Sequence, residues 1–103
     1  MYKITLYAPV THVESVKQAM FAAGAGRIGN YDSCAWQVLG VGQFRPLAGA
    51  NPFLGQVDVI ESVAEYKVEM VCHEDCLSSA IQALKASHPY EEPAYDVVKL
   101  LAL

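Results

Sequence analysis

The chain has 103 residues, enough for one domain that buries roughly two thirds of its unfolded surface. Hydrophobic residues make up 53% and charged residues only 17%, a composition that argues against disorder. The net charge is −4 with no basic run, which argues against nucleic acid or an anionic membrane as a partner. No apolar run reaches the roughly 18 residues of a membrane span, and no signal peptide is recognisable. We therefore expect a cytoplasmic protein whose three cysteines are reduced thiols.

The first predicted unit is a strand followed by a helix and a second strand. Residues 2–8 alternate apolar and polar side chains with the period of a half-buried strand. Thr11 and Glu14 have the spacing of a capping box. Apolar residues then follow at helical spacing until Gly24, a plausible helix end. The second strand is expected at about 33–41.

The segment 42–62 is predicted to be an excursion, because glycines and prolines are interspersed with large apolar side chains. The apolar phase slips within it, which predicts a bulge or strand break near 60–63. Connections of this length in compact domains are usually functional or contact a partner. Such a surplus of apolar side chains indicates burial against another chain. The residues expected at that oligomer interface are Phe44, Pro46, Pro52, Phe53 and Leu54.

The same pattern returns 64 positions later, with a strand at 66–72, an amphipathic helix and a last strand at about 94–101. At this offset Tyr31-Asp32 corresponds to Tyr95-Asp96. Two intercalated units of this kind predict an α+β fold, the ferredoxin-like βαββαβ sandwich. It has a four-stranded antiparallel sheet with both helices on one face. A single domain is expected to cover residues 1–103.

Two short motifs have alternative interpretations. Gly24 to Gly29 spells G-x-G-x-x-G, but it follows a helix instead of opening one, which favours a helix end and turn over a dinucleotide site. Cys72, His73 and Cys76 could begin a zinc or copper(I) site. No second ligand pair stands at a matching distance, so ordinary buried cysteines are the alternative.

The most distinctive segment is 88–96, in which a histidine, two glutamates and two tyrosines accompany two prolines. The prolines fix φ and restrict the residues before them. Such a rigid connector could hold a small ligand or metal at a subunit boundary, or could simply be a well-specified turn with solvated glutamates. The expected ligand-binding residues are His88, Tyr90, Glu91, Glu92, Asp96, Tyr31, Asp32 and Arg27. The candidate metal ligands are His88, Glu91, Cys72, His73 and Cys76.

These motifs carry a resemblance to two related families. The segment from His88 to Pro93 resembles the late motif of the CutA divalent-cation-tolerance proteins, which belong to the PII-like group of trimeric ferredoxin-like folds. Four ordered motifs resemble a domain that is inserted in long Nif-three-like proteins. They run from Gly24 to Cys34, Gly40 to Pro46, Asn51 to Gly55 and His88 to Asp96.

The resemblance implies a stand-alone PII/CutA-like domain that self-associates, with a trimer favoured and a dimer as the alternative. In long Nif-three-like proteins the metal ligands lie in two flanking halves that this sequence does not contain, so their hydrolase chemistry is not implied. We therefore predict a non-catalytic homo-oligomeric module that binds an unknown small molecule or acts as a regulatory or interaction subunit. Its groove between subunits is expected to be lined by residues 26–32, 42–55 and 88–96.

Two alternatives remain open at this point. One is a CutA-like protein that binds a divalent metal, the only cofactor that the sequence suggests. The other is a hydrolase in which Glu91 or Glu92 acts as a general base beside His88.

Overall fold

The computed structural model describes all residues from Met1 to Leu103. Its elements are β1 (Tyr2–Pro9), α1 (Val13–Ala22), β2 (Trp36–Phe44), β3 (Glu61–Cys72), α2 (Glu74–Ser87) and β4 (Tyr95–Lys99). The strands form one antiparallel sheet in the order β2-β3-β1-β4. This arrangement confirms the predicted ferredoxin-like βαββαβ fold. The longest helix, α2, has 14 residues, and no helix is long and apolar enough to cross a lipid bilayer.

The core lies between the two helices and one face of the central strands. Ile4 and Leu6 of β1 pair with Met70 and Val68 of β3, and these four side chains belong to one buried cluster with residues of both helices. Full burial of each such side chain contributes roughly 1.5–3 kcal/mol. Strand alternation turns the intervening side chains, Tyr7 among them, toward the opposite face of the sheet.

The two halves of the chain are related by an approximate twofold axis between β1 and β3. Thr5 pairs with Glu69, which is its own equivalent at the offset of 64 residues. The relation ends in the connectors, because Tyr95 pairs with Leu6 in the sheet whereas Tyr31 bridges only Ile28. Tyr31-Asp32 and Tyr95-Asp96 therefore correspond in sequence but occupy different structural positions.

The strand bounds shift for the same reason. The loop after α1 is held by two backbone bonds, from Gly26 N to Val71 O and from Cys34 N to Gly26 O, both 2.8 Å long. This compact turn uses several residues before the chain joins the sheet. Consequently β2 runs over Trp36–Phe44 instead of about 33–41. β4, at Tyr95–Lys99, is shorter than the predicted strand at about 94–101.

The N-terminus of α1 does not form the predicted capping box. His12 is the N-cap residue and has no side-chain cap bond, so Glu14 stands one position too early for the reciprocal bond of that motif. Thr11 Oγ1 instead lies 2.8 Å from His12 Nδ1. Glu14 forms an ion pair of 2.7 Å with Lys17.

The predicted excursion consists of a regular hairpin extension and a loop. β2 and β3 pair in continuous register from Trp36–Glu69 to Phe44–Glu61, so there is no bulge near 60–63. The other predicted explanation, a strand break, agrees with the start of β3 at Glu61. The apolar phase slips because residues 57–60 precede the strand instead of belonging to it. We call residues 45–60 the excursion loop. It is closed by a 2.7 Å bond from Asp58 N to Pro46 O.

Candidate ligand-binding site

A pocket of about 380 Å³ lies where the excursion loop meets the connector between α2 and β4. We call residues 88–94 the connector. The volume falls within the range of small-molecule sites, roughly 300–1,000 Å³. The apolar part of the wall comes from the hairpin end and the excursion loop, and includes Phe44, Pro46, Pro52, Phe53 and Leu54. The polar part comes from β3 and the connector, through Glu65, Tyr90, Glu91 and Glu92.

Aromatic packing holds the excursion loop against the rest of the domain. The ring of Phe53 stands edge-on to His12 at 5.4 Å between centroids and lies 6.3 Å from Tyr90. Phe44 contacts the same tyrosine at 6.0 Å. The backbone N–H of Asn51 donates to Glu91 Oε1 at 3.2 Å. Two of the predicted groove walls, 42–55 and 88–96, are thus brought together within one chain.

His88 fixes the shape of the connector. Its side chain is buried, with 6% exposed, and its Nε2 lies 2.7 Å from Tyr7 O. Its Nδ1 accepts a 3.2 Å bond from the backbone N–H of Tyr90. These partners define the neutral tautomer with the proton on Nε2, and burial lowers the pKa of the ring.

Because both ring nitrogens of His88 are engaged, the structure supports neither a ligand-binding nor a metal-binding role for this residue. The same bonds remove the histidine that the hydrolase alternative placed beside Glu91 and Glu92. Both glutamates are exposed in the chain. The geometry therefore offers no paired acid and base in the connector.

Tyr90 and Glu65 form the polar end of the pocket. The Tyr90 hydroxyl oxygen is buried and has no hydrogen-bond partner. Burial, followed by the neighbouring Glu65 carboxylate, raises the pKa of Tyr90. The hydroxyl lies beside this carboxylate and has no other polar neighbour. The pocket thus contains a buried hydroxyl whose oxygen can still accept a hydrogen bond.

Gly42 makes room for the Glu65 side chain. A Cβ atom at position 42 would overlap the Glu65 carboxylate. No basic side chain pairs with Glu65, whereas Glu69 on the same face of β3 lies 3.2 Å from Lys3 and 3.8 Å from Lys67. Glu65 is therefore a half-buried carboxylate without a counter-ion in the chain.

Four of the predicted ligand residues lie away from this pocket. Arg27, Tyr31 and Asp32 are exposed in the loop after α1, which is bonded to Val71 opposite Lys3. Tyr7 lies four residues along β1 from Lys3, or roughly 13 Å at the usual strand rise. Asp96 lies on the edge strand β4, where it pairs with Thr5 of β1. A shared groove with these residues would require another subunit, and it stays a prediction.

The candidate metal ligands do not converge within the chain. Cys72 is buried in the core, and its pKa is raised by burial and then by Cys76, which favours the protonated thiol over a metal-binding thiolate. His73 is exposed, and Cys76 packs beside Gly24. The structure contains no cluster of three or more His, Cys, Asp or Glu side chains suited to a metal ion.

Most of the predicted interface residues are buried or half-buried within the chain itself. Pro46 is buried, Phe44 and Pro52 are half-buried, and only Phe53 and Leu54 are exposed. Sequence reasoning missed the apolar surface of the edge strand β2. The large side chains exposed there are Trp36 at 59%, Val38 at 44%, Leu39 at 57% and Val41 at 79%.

Sequence reasoning also missed Tyr7 and Glu65 as pocket residues, because alternating charges on β3 resemble an ordinary solvated face. One signal was available in Gly40-x-Gly42. Glycines inside a strand often mark a place where another group approaches the backbone.

Known proteins resemble this chain both in sequence and in fold. No protein-family model matches the chain. A GTP cyclohydrolase 1 type 2 homolog of Mycobacterium leprae is 46% identical over 99 residues, which are 96% of this chain and 26% of that protein. The crystal structure of a NIF3-related protein of Bacillus cereus is 38% identical and superposes with a TM-score of 0.82 over 96% of this chain and 25% of that one. Nearly the whole chain is thus similar to one segment of NIF3-family proteins.

The fold of this chain also occurs in the CutA proteins. The periplasmic divalent cation tolerance protein CutA of Archaeoglobus fulgidus superposes with a TM-score of 0.67 over 97% of this chain and 84% of that one. Its sequence identity is 16%, so the likeness concerns the fold alone. The chain spans about a quarter of the length of the NIF3-family relatives it matches.

Proposed function

We propose that this chain is a self-associating module that binds a small molecule in the pocket between the excursion loop and the connector. The observation that carries the proposal is the pocket itself, which is already formed in a single chain. Its wall combines apolar and aromatic side chains with a few converging polar groups. Small-molecule sites usually have this composition.

Self-association is supported by the apolar side chains that the sheet edge exposes. β2 is an edge strand, and Trp36, Leu39 and Val41 leave both of its faces apolar. An exposed apolar edge of this kind invites pairing with another chain. We favour a trimer over a dimer because the CutA-like fold resembles that of the PII group, and we retain the cytoplasm as the expected location.

The proposed role is binding without catalysis by this segment. The relatives named as cyclohydrolase homologs extend well beyond the segment that the chain matches, which is 26% of their length in the Mycobacterium leprae protein. Within the chain, both nitrogens of His88 are bonded to backbone groups. His88 is therefore not available as the acid–base partner of Glu91 or Glu92.

The pocket can be tested by filling it. We expect Ala50→Phe to place a ring in the space that Ala50 lines and to abolish ligand binding. Ala48→Phe is the matched control, because Ala48 is exposed in the same loop and does not line the pocket. Protein NMR against a fragment library of cations, neutral compounds and anions provides the measurement.

Library members that bind should shift the signals of Tyr90 and Leu54 in the wild type and in Ala48→Phe, but not in Ala50→Phe. The proposal would be overturned if no member shifted these signals in the wild-type protein. It would also be overturned if the filled variant bound the same compounds with unchanged affinity.

A further inference from the structure

The polar groups of the pocket all favour a positively charged occupant. Three of the 14 residues that line it are glutamates, and none is Lys, Arg or His. The whole chain has a net charge of −4. Ligands whose recognition depends on phosphate or carboxylate groups would meet repulsion that no basic side chain offsets. The electrostatic character of this site therefore selects against anions.

Glu65 is the carboxylate best placed to hold a charge. It is half-buried, lies against the backbone of Gly42 and forms no ion pair. Glu91 differs, because its Oε1 already accepts the backbone N–H of Asn51. A carboxylate withdrawn from water gains most from a partner that brings both charge and hydrogen-bond donors.

The Tyr90 hydroxyl lies beside Glu65 in the same pocket. Its buried oxygen has no polar neighbour other than that carboxylate, so its lone pairs are free to accept a hydrogen bond. The oxygen can accept hydrogen bonds as well as donate one. An ammonium group has three donors and no acceptor, so it could satisfy the carboxylate and this hydroxyl together.

The remaining walls suit the body of such a ligand. Tyr7, Phe44, Phe53 and Tyr90 all line the pocket, so aromatic rings surround the carboxylate end. The face of an aromatic ring attracts an organic cation, and its apolar area covers a ligand ring or chain. Prolines 46 and 52 and Leu54 extend the apolar surface toward the excursion loop.

We propose that the ligand of this pocket is a protonated organic amine with an aromatic or apolar body. This inference rests on the proposed function, because it names the chemical class that the same pocket takes. The ammonium group donates to the Glu65 carboxylate and to the Tyr90 oxygen. The body of the ligand lies against the aromatic and proline side chains of the excursion loop.

Three indole compounds of similar size test the charge requirement. Tryptamine is a cation at neutral pH, tryptophol is neutral and indole-3-acetate is an anion. Tryptamine should bind at least about tenfold more tightly than tryptophol, because a hydrogen bond to a charged group exceeds a neutral one. Indole-3-acetate should bind most weakly. Calorimetry gives the affinities, and NMR shifts of Phe44 and Tyr90 locate the binding.

Glu65→Gln should weaken tryptamine binding about tenfold while leaving tryptophol binding unchanged, since it removes the charge but keeps the shape. Glu69→Gln is the matched control, because Glu69 lies on the same face of the same strand and outside the pocket. This control should leave all three affinities unchanged. Equal loss of tryptamine affinity in the two variants would overturn the proposed role of Glu65.

The outcomes separate the two proposals. If tryptophol or indole-3-acetate binds in the pocket as tightly as tryptamine, the amine proposal is wrong and the ligand-binding function stands. The same conclusion follows if only neutral or anionic library members shift the pocket signals. If no compound of any charge binds there, the proposed function itself fails.

Discussion

His88 joins two segments that are far apart in the sequence, because its ring contacts Tyr7 O on β1 and the Tyr90 N–H in the connector. A histidine close to two glutamates suggests a catalytic site. Here the imidazole is buried, and its hydrogen bonds to two backbone groups have a structural role. Its two bonds place Tyr90 against the pocket and set the start of the connector. The residues that remain free to contact a ligand are its neighbours, above all Glu65 and Tyr90.

The stability of the folded chain should depend on pH through His88. Burial lowers the pKa of His88 in the folded chain, and His12 acts in the same direction, while the bond to Tyr7 and the charge of Glu65 partly oppose it. The unfolded chain, with a histidine pKa of about 6.5, therefore takes up a proton that the folded chain does not. The contribution of His88 to the free energy of unfolding is fully present above that value. It is lost as the pH falls through about 6.5 toward the folded pKa.

Urea unfolding between about pH 7.5 and 5.5, at one protein concentration, measures this dependence around the ordinary histidine pKa. We expect a decline in stability that is weaker in His88→Gln and unchanged in His73→Gln, because His73 is exposed. A stability that stays constant or rises toward acidic pH in the wild-type protein would contradict the assignment of His88 as a buried neutral histidine.

The excursion loop is the element on which the candidate site depends. It is closed by its own backbone bonds, from Asp58 N to Pro46 O and from Ala50 N to Leu47 O. Its attachment to the domain relies on the Phe53 ring and on the bond between Asn51 and Glu91. A loop held by so few contacts should open without unfolding of the sheet.

Replacement of Phe53 by alanine should loosen this loop. Loss of two aromatic contacts, each worth about 0.5–1.5 kcal/mol, should speed amide exchange at Ala50 and Asp58 by about 5-fold or more. Exchange of the sheet amides of Leu6 and Val68 should not change. Leu47→Ala is the control, because Leu47 is exposed in the same loop and outside the pocket. Equal exchange rates in both variants would show that Phe53 does not anchor the loop.

At the scale of the whole molecule, the shape of the chain is elongated, with extents of 46 × 24 × 24 Å. The long hairpin of β2 and β3 pairs beyond the part of β3 that β1 covers. The helices therefore cannot bury both faces of β2, and apolar side chains remain exposed along it. A second copy of the chain would cover this edge, which is the physical basis for the proposed self-association.

Light scattering tests the assembly. The wild-type protein at tens of micromolar should have three times the 11.2 kDa mass of one chain. Val41→Lys should dissociate it, because a charge would enter the apolar edge, while the fold should persist since Val41 is 79% exposed. Gln82→Lys adds the same charge at an exposed position of α2 and should leave the mass unchanged. A monomeric wild-type protein would contradict the argument from β2.

The sequence by itself determined the fold class. The signals for it are local or periodic: alternation in β1 and β3, helical spacing in α1 and α2, and the repeat at 64 residues. Such signals can be recognised in the sequence without knowledge of the tertiary packing. The bounds of β2 and β4 were shifted and the capping box was wrong, while the slip near 60–63 comes from the start of β3 and not from a bulge. Those features depend on where a loop is tied to another part of the chain, as Gly26 is to Val71.

The candidate site was determined only by the tertiary structure. The connector could be singled out from its composition, but a sequence does not show that His88 is buried between Tyr7 and Tyr90. Nor does it show that Gly42 leaves space for the Glu65 carboxylate. Burial and hydrogen-bond partners are non-local, since they arise when strands distant in the sequence pair and bring their loops to one end of the sheet. That is why the sequence could single out the connector and Tyr90, whereas only the fold placed Glu65 of β3 in the same pocket.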